Sequence, residues 1–305
     1  MRKLLITLAA LGALGMVPAG AVAEDLDFGG SLGLEFTFTP IPPADVDIST
    51  DITLSLSFAD AQVISRTRLT WDGLQEAWLS FGLDLKALEL ISAMRFDPCF
   101  SMYRLQAWGE WCPAELGGLV LLENLAAPCE PADYTVGVVL DLGLNLEYGF
   151  WLRSLTGFGV WDLYYLVDDL VRTDLSPAPG WWFEEQLLGI GLQGECFSVD
   201  SWILFTDLGL NWAHFGSAYR WTEPDVEVGT RLWWTGGMAF DSAELIVAGT
   251  INPVTLRSVT VFDLGGFVMQ EIDIEVAFSG ITIYSQTMFD FVGLLQQVAG
   301  IELRF

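Results

Sequence analysis

Three neighbouring segments of the chain alternate between polar and apolar residues, and four arginines lie at their polar positions: Arg66, Arg68, Arg95 and Arg104. We call the set of alternate positions on one face of a strand its parity. Side chains two residues apart point to the same face of an extended chain, so Arg66 and Arg68 would lie side by side. Guanidinium groups bind carboxylates and other anions through paired hydrogen bonds. Two interpretations stay open: a charged constriction that orients a solute, or a network of ion pairs that only satisfies buried charge.

Carboxylates occupy the same polar parity in other segments. The arginines are predicted to face Glu76, Asp141 or Glu147, and the wider acidic wall includes Asp47, Asp51 and Asp273. A negative wall around water would concentrate cations and repel anions. An interior filled by side chains is the alternative.

Signals for catalysis are weak. His214 is the only histidine, and Ser217, three residues later, would lie on the opposite face of a strand. No cluster of side chains has the spacing of metal ligands. We therefore predict no enzyme activity, no cofactor and no metal site.

The elements that must position these residues are long amphipathic strands. Residues 46–58 alternate between apolar and polar side chains with a single exception at Thr50. Such a strand of about 13 residues spans roughly 40 Å at about 3.3 Å per residue. That length exceeds the usual soluble strand and fits a tilted membrane crossing. Residues 26–38 and 135–147 repeat the pattern.

The composition places these strands in a membrane. Charged residues make up 17% of the chain, hydrophobic residues 52%, and the mean hydropathy is +0.44. No uninterrupted apolar run after the first 23 residues is long enough for a membrane helix. Interleaved apolar residues are what the wall of a closed β-barrel requires. We predict an all-β fold, a single antiparallel meander forming a transmembrane β-barrel of about 14–18 strands, with 16 favoured.

The chain divides into an export signal and one domain. Arg2 and Lys3 precede an apolar stretch, and an Ala-x-Ala site ends at Ala23, so residues 1–23 are predicted to be a cleaved signal peptide. Residues 24–305 are predicted to form the barrel. Residues 112–131 interrupt the alternation and are predicted to be a loop, a short helix or a plug. Counted from a periplasmic N-terminus, this interruption falls where turns are usually short, so either one strand is miscounted or the barrel carries a cap.

Four cysteines in an exported chain are candidates for disulfides. If residues 100–110 form one strand, Cys99 and Cys112 lie at its opposite ends and cannot bond. Cys112 and Cys129 could close the interruption, which would leave Cys99 with Cys196. Buried free thiols are the alternative.

Tryptophans lie near many predicted strand ends, where aromatic girdles form in membrane proteins. They are Trp71, Trp108, Trp111, Trp151, Trp161, Trp181, Trp182, Trp221, Trp233 and Trp234. We predict that they belong to such girdles and favour this over platforms for sugar stacking.

The last residues, 299–305, alternate and end in Phe305. This ending resembles the C-terminal assembly signal of bacterial outer-membrane β-barrel proteins, although it identifies no particular family. The resemblance implies insertion by the outer-membrane assembly machinery of a bacterium with a double-membrane envelope. The expected partners are that machinery, the lipid bilayer and possible further copies of the chain. Nucleic acid is excluded because a net charge of −27 would repel phosphates.

The function that these expectations favour is a passive, porin-like channel for small solutes with an acidic, cation-preferring lumen. A closed structural barrel of the envelope without an open pore is the first alternative. A barrel lipase or protease and a soluble secreted β-sandwich are the others.

Overall fold

The computed structural model describes residues 26–40, 45–97, 99–124, 133–161, 163, 176–177 and 182–305. The predicted signal peptide lies outside these residues. The described residues are almost entirely extended, and in most strands the period of two gives one apolar and one more polar face. Among them there is no helix long and apolar enough to cross a membrane.

Twenty strands follow one another within the residues that the structure describes. The first nine are β1 Leu26–Thr39, β2 Asp45–Phe58, β3 Ala61–Thr70, β4 Gly73–Asp84, β5 Leu88–Asp97, β6 Cys99–Trp111, β7 Ala114–Asn124, β8 Tyr134–Asn145 and β9 Phe150–Phe158. Two short strands, β10 Val160–Trp161 and β11 Ser176–Pro177, pair only with each other. The remaining strands are β12 Phe183–Gln193, β13 Phe197–Thr206, β14 Gly209–Thr222, β15 Asp225–Thr235, β16 Phe240–Ile251, β17 Val254–Asp263, β18 Gly266–Phe278, β19 Ile281–Asp290 and β20 Leu294–Arg304.

Eighteen of these strands form one closed antiparallel barrel. Each pairs with its neighbour in sequence, β9 pairs with β12, and β20 pairs with β1. Beyond the β20 ladder, Gly30 and Phe305 exchange two backbone hydrogen bonds of 3.0 Å. The predicted all-β meander is confirmed, with 18 strands rather than the favoured 16.

The additional strand β7 lies within residues 112–131. The prediction of a loop, short helix or plug is therefore wrong for Ala114–Asn124, and residues 125–131 lie outside the described ranges. The inward Leu119 and Leu121 are 4% and 1% exposed, whereas the outward Leu116 and Val120 are 51% and 41% exposed. Because both faces of β7 are apolar, its period of two is hidden in the sequence.

With β7 included, the short and the long connections lie at different rims of the barrel. We call the rim that carries Leu26 and Phe305 the proximal rim; its connections span two to four residues. The opposite, distal rim carries the two longest connections, between Asn124 and Tyr134 and between Phe158 and Phe183. The miscounted strand thus removes the need for a cap among the short turns.

The outside of the barrel is mostly apolar. In β8, the outward Leu140 and Leu142 are 49% and 53% exposed, while the inward Val139 and Asp141 are 1% and 8% exposed. Outward apolar side chains of this kind can be withdrawn from water only by lipid, detergent or another protein surface.

The cysteines do not pair as expected. Cys99 is disulfide-bonded, and the thiols of Cys112 and Cys196 are free. Both favoured pairings, Cys112 with Cys129 and Cys99 with Cys196, are therefore wrong. Cys129 lies outside the described residues.

Candidate functional site in the barrel lumen

The inner wall is defined by the strand registers. Asp51 of β2 lies opposite Arg68 of β3, which lies opposite Glu76 of β4. Side chains at matched positions of paired strands point to the same face, so these three residues point inward together. The registers of the other strand pairs identify the inward-facing residues in the same way on all 18 strands.

One side of the lumen holds a polar cavity of about 680 Å³, which we call the polar chamber. Its wall is formed by β1–β6, β19 and β20. The lining extends from Gln62 and Glu89, close to the proximal rim, to Arg68 and Glu76, closer to the distal rim. Five of the predicted pore-lining residues line it: Asp51, Arg66, Arg68, Glu76 and Arg104.

Ion pairs cross the wall of the polar chamber. Arg68 donates two hydrogen bonds to Asp51, of 2.8 and 3.0 Å. The Arg95 guanidinium lies 3.5 Å from Glu76 and 3.6 Å from Asp97, and it stacks over the Trp78 ring. For Arg68 and Arg95, the contacts fit the interpretation of an ion-pair network.

The other two arginines of the predicted ladder differ from this pair. Arg104 is 3% exposed and donates a hydrogen bond of 2.7 Å to Gln106. Arg66 is exposed to the chamber, and within the described ranges no ion pair involves it. Arg66 therefore projects a positive charge into the cavity beside the carboxylates.

The remaining predicted acids are scattered. Asp141 binds Arg153 through two hydrogen bonds, of 2.6 and 3.0 Å, outside the polar chamber. Asp273 lies 3.3 Å from Arg257 on the wall near β17 and β18. Asp47 has the inner parity of β2 but is exposed near the distal rim.

Glu147 does not lie in the wall. It belongs to a single 3₁₀ turn, Glu147–Gly149, at the proximal rim, and it is exposed. The expectation that Glu147 faces the arginines is wrong, because β8 ends at Asn145 and Tyr148 turns the chain with φ of 64°.

The other side of the lumen is filled by apolar side chains, which we call the apolar cluster. Its fully buried members are Leu121, Val139, Leu155, Val160, Leu163 and Leu187. Val160 and Leu163 come from the connection after β9 and enter the barrel. They pack where Gly137 and Gly157 leave room, since a Cβ at Gly137 would overlap Val160 and one at Gly157 would press on Leu163. The Leu163 amide donates to Glu185 at 3.1 Å, which fixes this entry.

Between the apolar cluster and the proximal rim lies a recess of about 360 Å³. Its lining includes Trp151, Arg153, Asp200, Trp202 and His214. The Trp151 and Trp202 rings lie 5.2 Å apart, tilted by 41°.

Sequence reasoning missed the recess because it placed the wrong tryptophans at the girdles. Trp108, Trp151 and Trp233 point inward, so their assignment to girdles is wrong. Trp111 and Trp221 are outward and exposed near the proximal rim, as girdle residues would be. The sequence does contain one indication of the inward tryptophans, which is the pair Gly189 and Gly191, two residues apart in β12. A Cβ at these positions would overlap the rings of Trp202 and Trp151.

The candidate catalytic residues do not meet. His214 points inward, with Nδ1 3.6 Å from an Asp200 carboxylate oxygen. Ser217 points outward, and its hydroxyl lies 3.0 Å from that of Thr230. No group of three or more potential metal ligands occurs in the part of the chain that the structure describes.

Comparison with known proteins identifies the fold alone. No family model matches the chain, and no curated protein matches it. Solved structures of engineered variants of the porin from Rhodopseudomonas blastica are similar to it. Two of them superpose with TM-scores of 0.51 and 0.52, each 12% identical over 92% of this chain and 100% of the porin chain. The chain therefore has the closed-barrel architecture that these porins also have.

Proposed function

We propose that the protein is a porin-like channel that passes small hydrophilic solutes through the polar chamber. The observation that carries this proposal is the cavity of about 680 Å³, whose polar lining extends from near one rim to near the other. Barrels of about 16–18 strands are wide enough to leave an aqueous channel. The apolar exterior supplies the surface that a bilayer would cover.

The channel is proposed to prefer cations. Five carboxylates, those of Glu35, Asp51, Glu76, Glu89 and Glu302, line the polar chamber with three arginines, a difference of two negative charges. A negative surplus on a low-dielectric wall raises the local concentration of cations. The positive charge of Arg66 sets a limit on this preference.

The proposed location is the outer membrane of a bacterium with a double-membrane envelope. The short connections at the proximal rim and the long ones at the distal rim match the periplasmic and extracellular sides of such barrels. Insertion by the assembly machinery and association with further copies of the chain belong to the same proposal.

Planar-bilayer recordings of the purified protein test the channel. We expect conductance steps that grow with KCl concentration and a reversal potential in a KCl gradient whose sign reports cation preference. In Glu89→Gln the preference should weaken, because a chamber carboxylate is lost. Glu147→Gln, which removes a carboxylate from a rim turn, is the matched control and should leave the preference unchanged. Anion preference in the wild type would contradict the acidic-lumen proposal.

The second candidate is a closed structural barrel, and the apolar cluster favours it because it fills part of the lumen. A folded protein that inserts into bilayers and shows no conductance at any salt concentration would establish this alternative.

A further inference from the structure

The recess beside the proximal rim differs from the polar chamber in its chemistry. It opens among the ends of strands, with Asn145 at the end of β8, Trp151 at the start of β9 and Gln193 at the end of β12. Towards the distal rim, the buried Trp202 and Leu204 join it to the apolar cluster. The recess is therefore a side pocket, and solute in the polar chamber does not have to pass through it.

Aromatic surface forms one wall of the recess. Trp151 lies over Gly191 and Trp202 lies over Gly189, so both rings lie flat against the barrel backbone. Trp202 is 4% exposed because Trp151 and the apolar cluster cover it. Trp151 is only half-buried and presents indole surface to the recess. The face of an indole is negatively polarised and attracts C–H groups laid flat upon it.

Both arginines of the recess lie beside carboxylates, and its two carboxylates lie beside an amide and an imidazole. Arg153 is paired with Asp141, and Arg231 lies 3.9 Å from Glu244. Of the acids, Glu115 accepts a hydrogen bond from Asn145. Asp200 lies 3.6 Å from His214. An anionic solute would have to displace the carboxylates that lie beside Arg153 and Arg231, and it would meet the negative charges of Glu115 and Asp200. The recess therefore does not favour an anion.

Hydrogen-bonding capacity remains. Each carboxylate has about four acceptor sites, each guanidinium group has five donors, and the side-chain amide of Gln193 offers both. A neutral solute with several hydroxyl groups, each able to donate and accept, uses this mixture without breaking an ion pair. The polar side chains of the recess surround the indole face of Trp151. This arrangement suits a ring whose face is apolar and stacks on the indole, and whose edge carries hydroxyl groups.

We propose that the recess binds a neutral sugar of one or two pyranose rings, with one ring stacked on Trp151. Its volume of about 360 Å³ lies within the range of small-molecule pockets, about 300–1,000 Å³. The inference rests on the proposed channel function, because solute must reach the lumen. It adds a substrate class that the charge of the polar chamber does not indicate.

Isothermal titration of the folded protein in detergent with maltose tests the site directly. We expect saturable binding in the wild type, at least tenfold weaker binding in Trp151→Ala and partial retention in Trp151→Phe, which keeps a flat ring. Trp111→Ala, which removes an exposed tryptophan from the outside of the same rim, is the matched control and should bind as the wild type does. Circular dichroism confirms that each variant is folded.

Two further ligands define the class. Glucuronate should bind more weakly than glucose, because its carboxylate meets arginines that already have acidic partners and two further carboxylates. Sorbitol should also bind more weakly than glucose, because it has hydroxyl groups but no ring that could stack on Trp151. Absence of saturable binding, equal binding by Trp151→Ala, or tighter binding of glucuronate than of glucose would overturn the proposal.

Conductance in the same preparations separates this inference from the channel proposal. Sugar-free conductance with no maltose binding means that the channel stands and the site fails. Maltose binding that depends on Trp151, in a protein without conductance, means that the site stands and the channel fails.

Discussion

The polar chamber and the apolar cluster occupy opposite sides of one lumen and are built from the same kind of strand. In β2 the inward residues include Asp51 and Thr53, and the alternation with outward apolar residues is visible in the sequence. In β7 the inward residues include Leu119 and Leu121, and the alternation disappears. The strand period thus makes the barrel wall, whereas the inward set alone decides whether the adjoining lumen holds water or side chains.

The largest expected difference between the two sides is in stability. Leu187→Ala removes a side chain that is 0% exposed in the apolar cluster, and we expect the free energy of unfolding to fall by about 2–5 kcal/mol. Ile190→Ala on the same strand changes an outward residue that is 52% exposed. Its loss should be smaller, because lipid or detergent chains can fill the space. Urea titration followed by tryptophan fluorescence measures both, and equal losses would show that the cluster is not a packed core.

The ion pairs of the two sides should also differ. The side chain of Arg153 is 20% exposed and that of Asp141 12%, so Arg153→Ala leaves a poorly solvated carboxylate and should lower the free energy of unfolding by about 2–3 kcal/mol. Arg68 is 43% exposed and Asp51 38%. Water would screen that pair, and Arg68→Ala should cost about 0–1 kcal/mol. The same urea titrations compare them, and a larger loss in Arg68→Ala would mean that the polar chamber is drier than we infer.

The smallest expected effect concerns selectivity. Arg66→Gln removes the exposed positive charge of the polar chamber and should increase cation preference by up to about fivefold, since one charge at 4 Å in water contributes about 1 kcal/mol. Arg220→Gln, which removes an arginine paired with Asp225 at the proximal rim and outside the polar chamber, is the control and should change the reversal potential less. A shift towards anions in Arg66→Gln would mean that Arg66 does not face the conducting path.

The sequence predicted the fold wherever one face of a strand was polar. β2 and the inward positions of Asp51 and Arg68 follow from parity alone. β7 was missed because residues 116–122, its central part, are apolar on both faces, and that error also misplaced the long connection. The alternation of a strand assigns a residue to a face only if the residue lies within the strand. Glu147 was predicted to lie in the wall because β8 was predicted to extend to it, whereas the chain turns at Tyr148.

The recess and the apolar cluster could not be predicted from the sequence, because they depend on contacts between distant segments. The Arg153–Asp141 pair requires the register of β8 against β9, across the turn that was misread. The packing of Val160 and Leu163 requires that the connection after β9 enter the barrel, and nothing in its local composition indicates that direction. Gly189 and Gly191 are the positions over which two indole rings lie. The sequence shows that these residues have no side chain, but it does not show which neighbouring side chain occupies the space.

The paired hydrogen bonds between Gly30 and Phe305 have a kinetic consequence. They join opposite ends of the described chain, at a site where a Cβ on Gly30 would press against the Phe305 ring. Contacts between residues so far apart in sequence form late, because the entropy of closing the intervening loop must be overcome first. Until they form, β1 and β20 each present an unpaired edge that can join to another chain. The rate of this last step, compared with the rate of aggregation, should therefore set the yield of folded barrel.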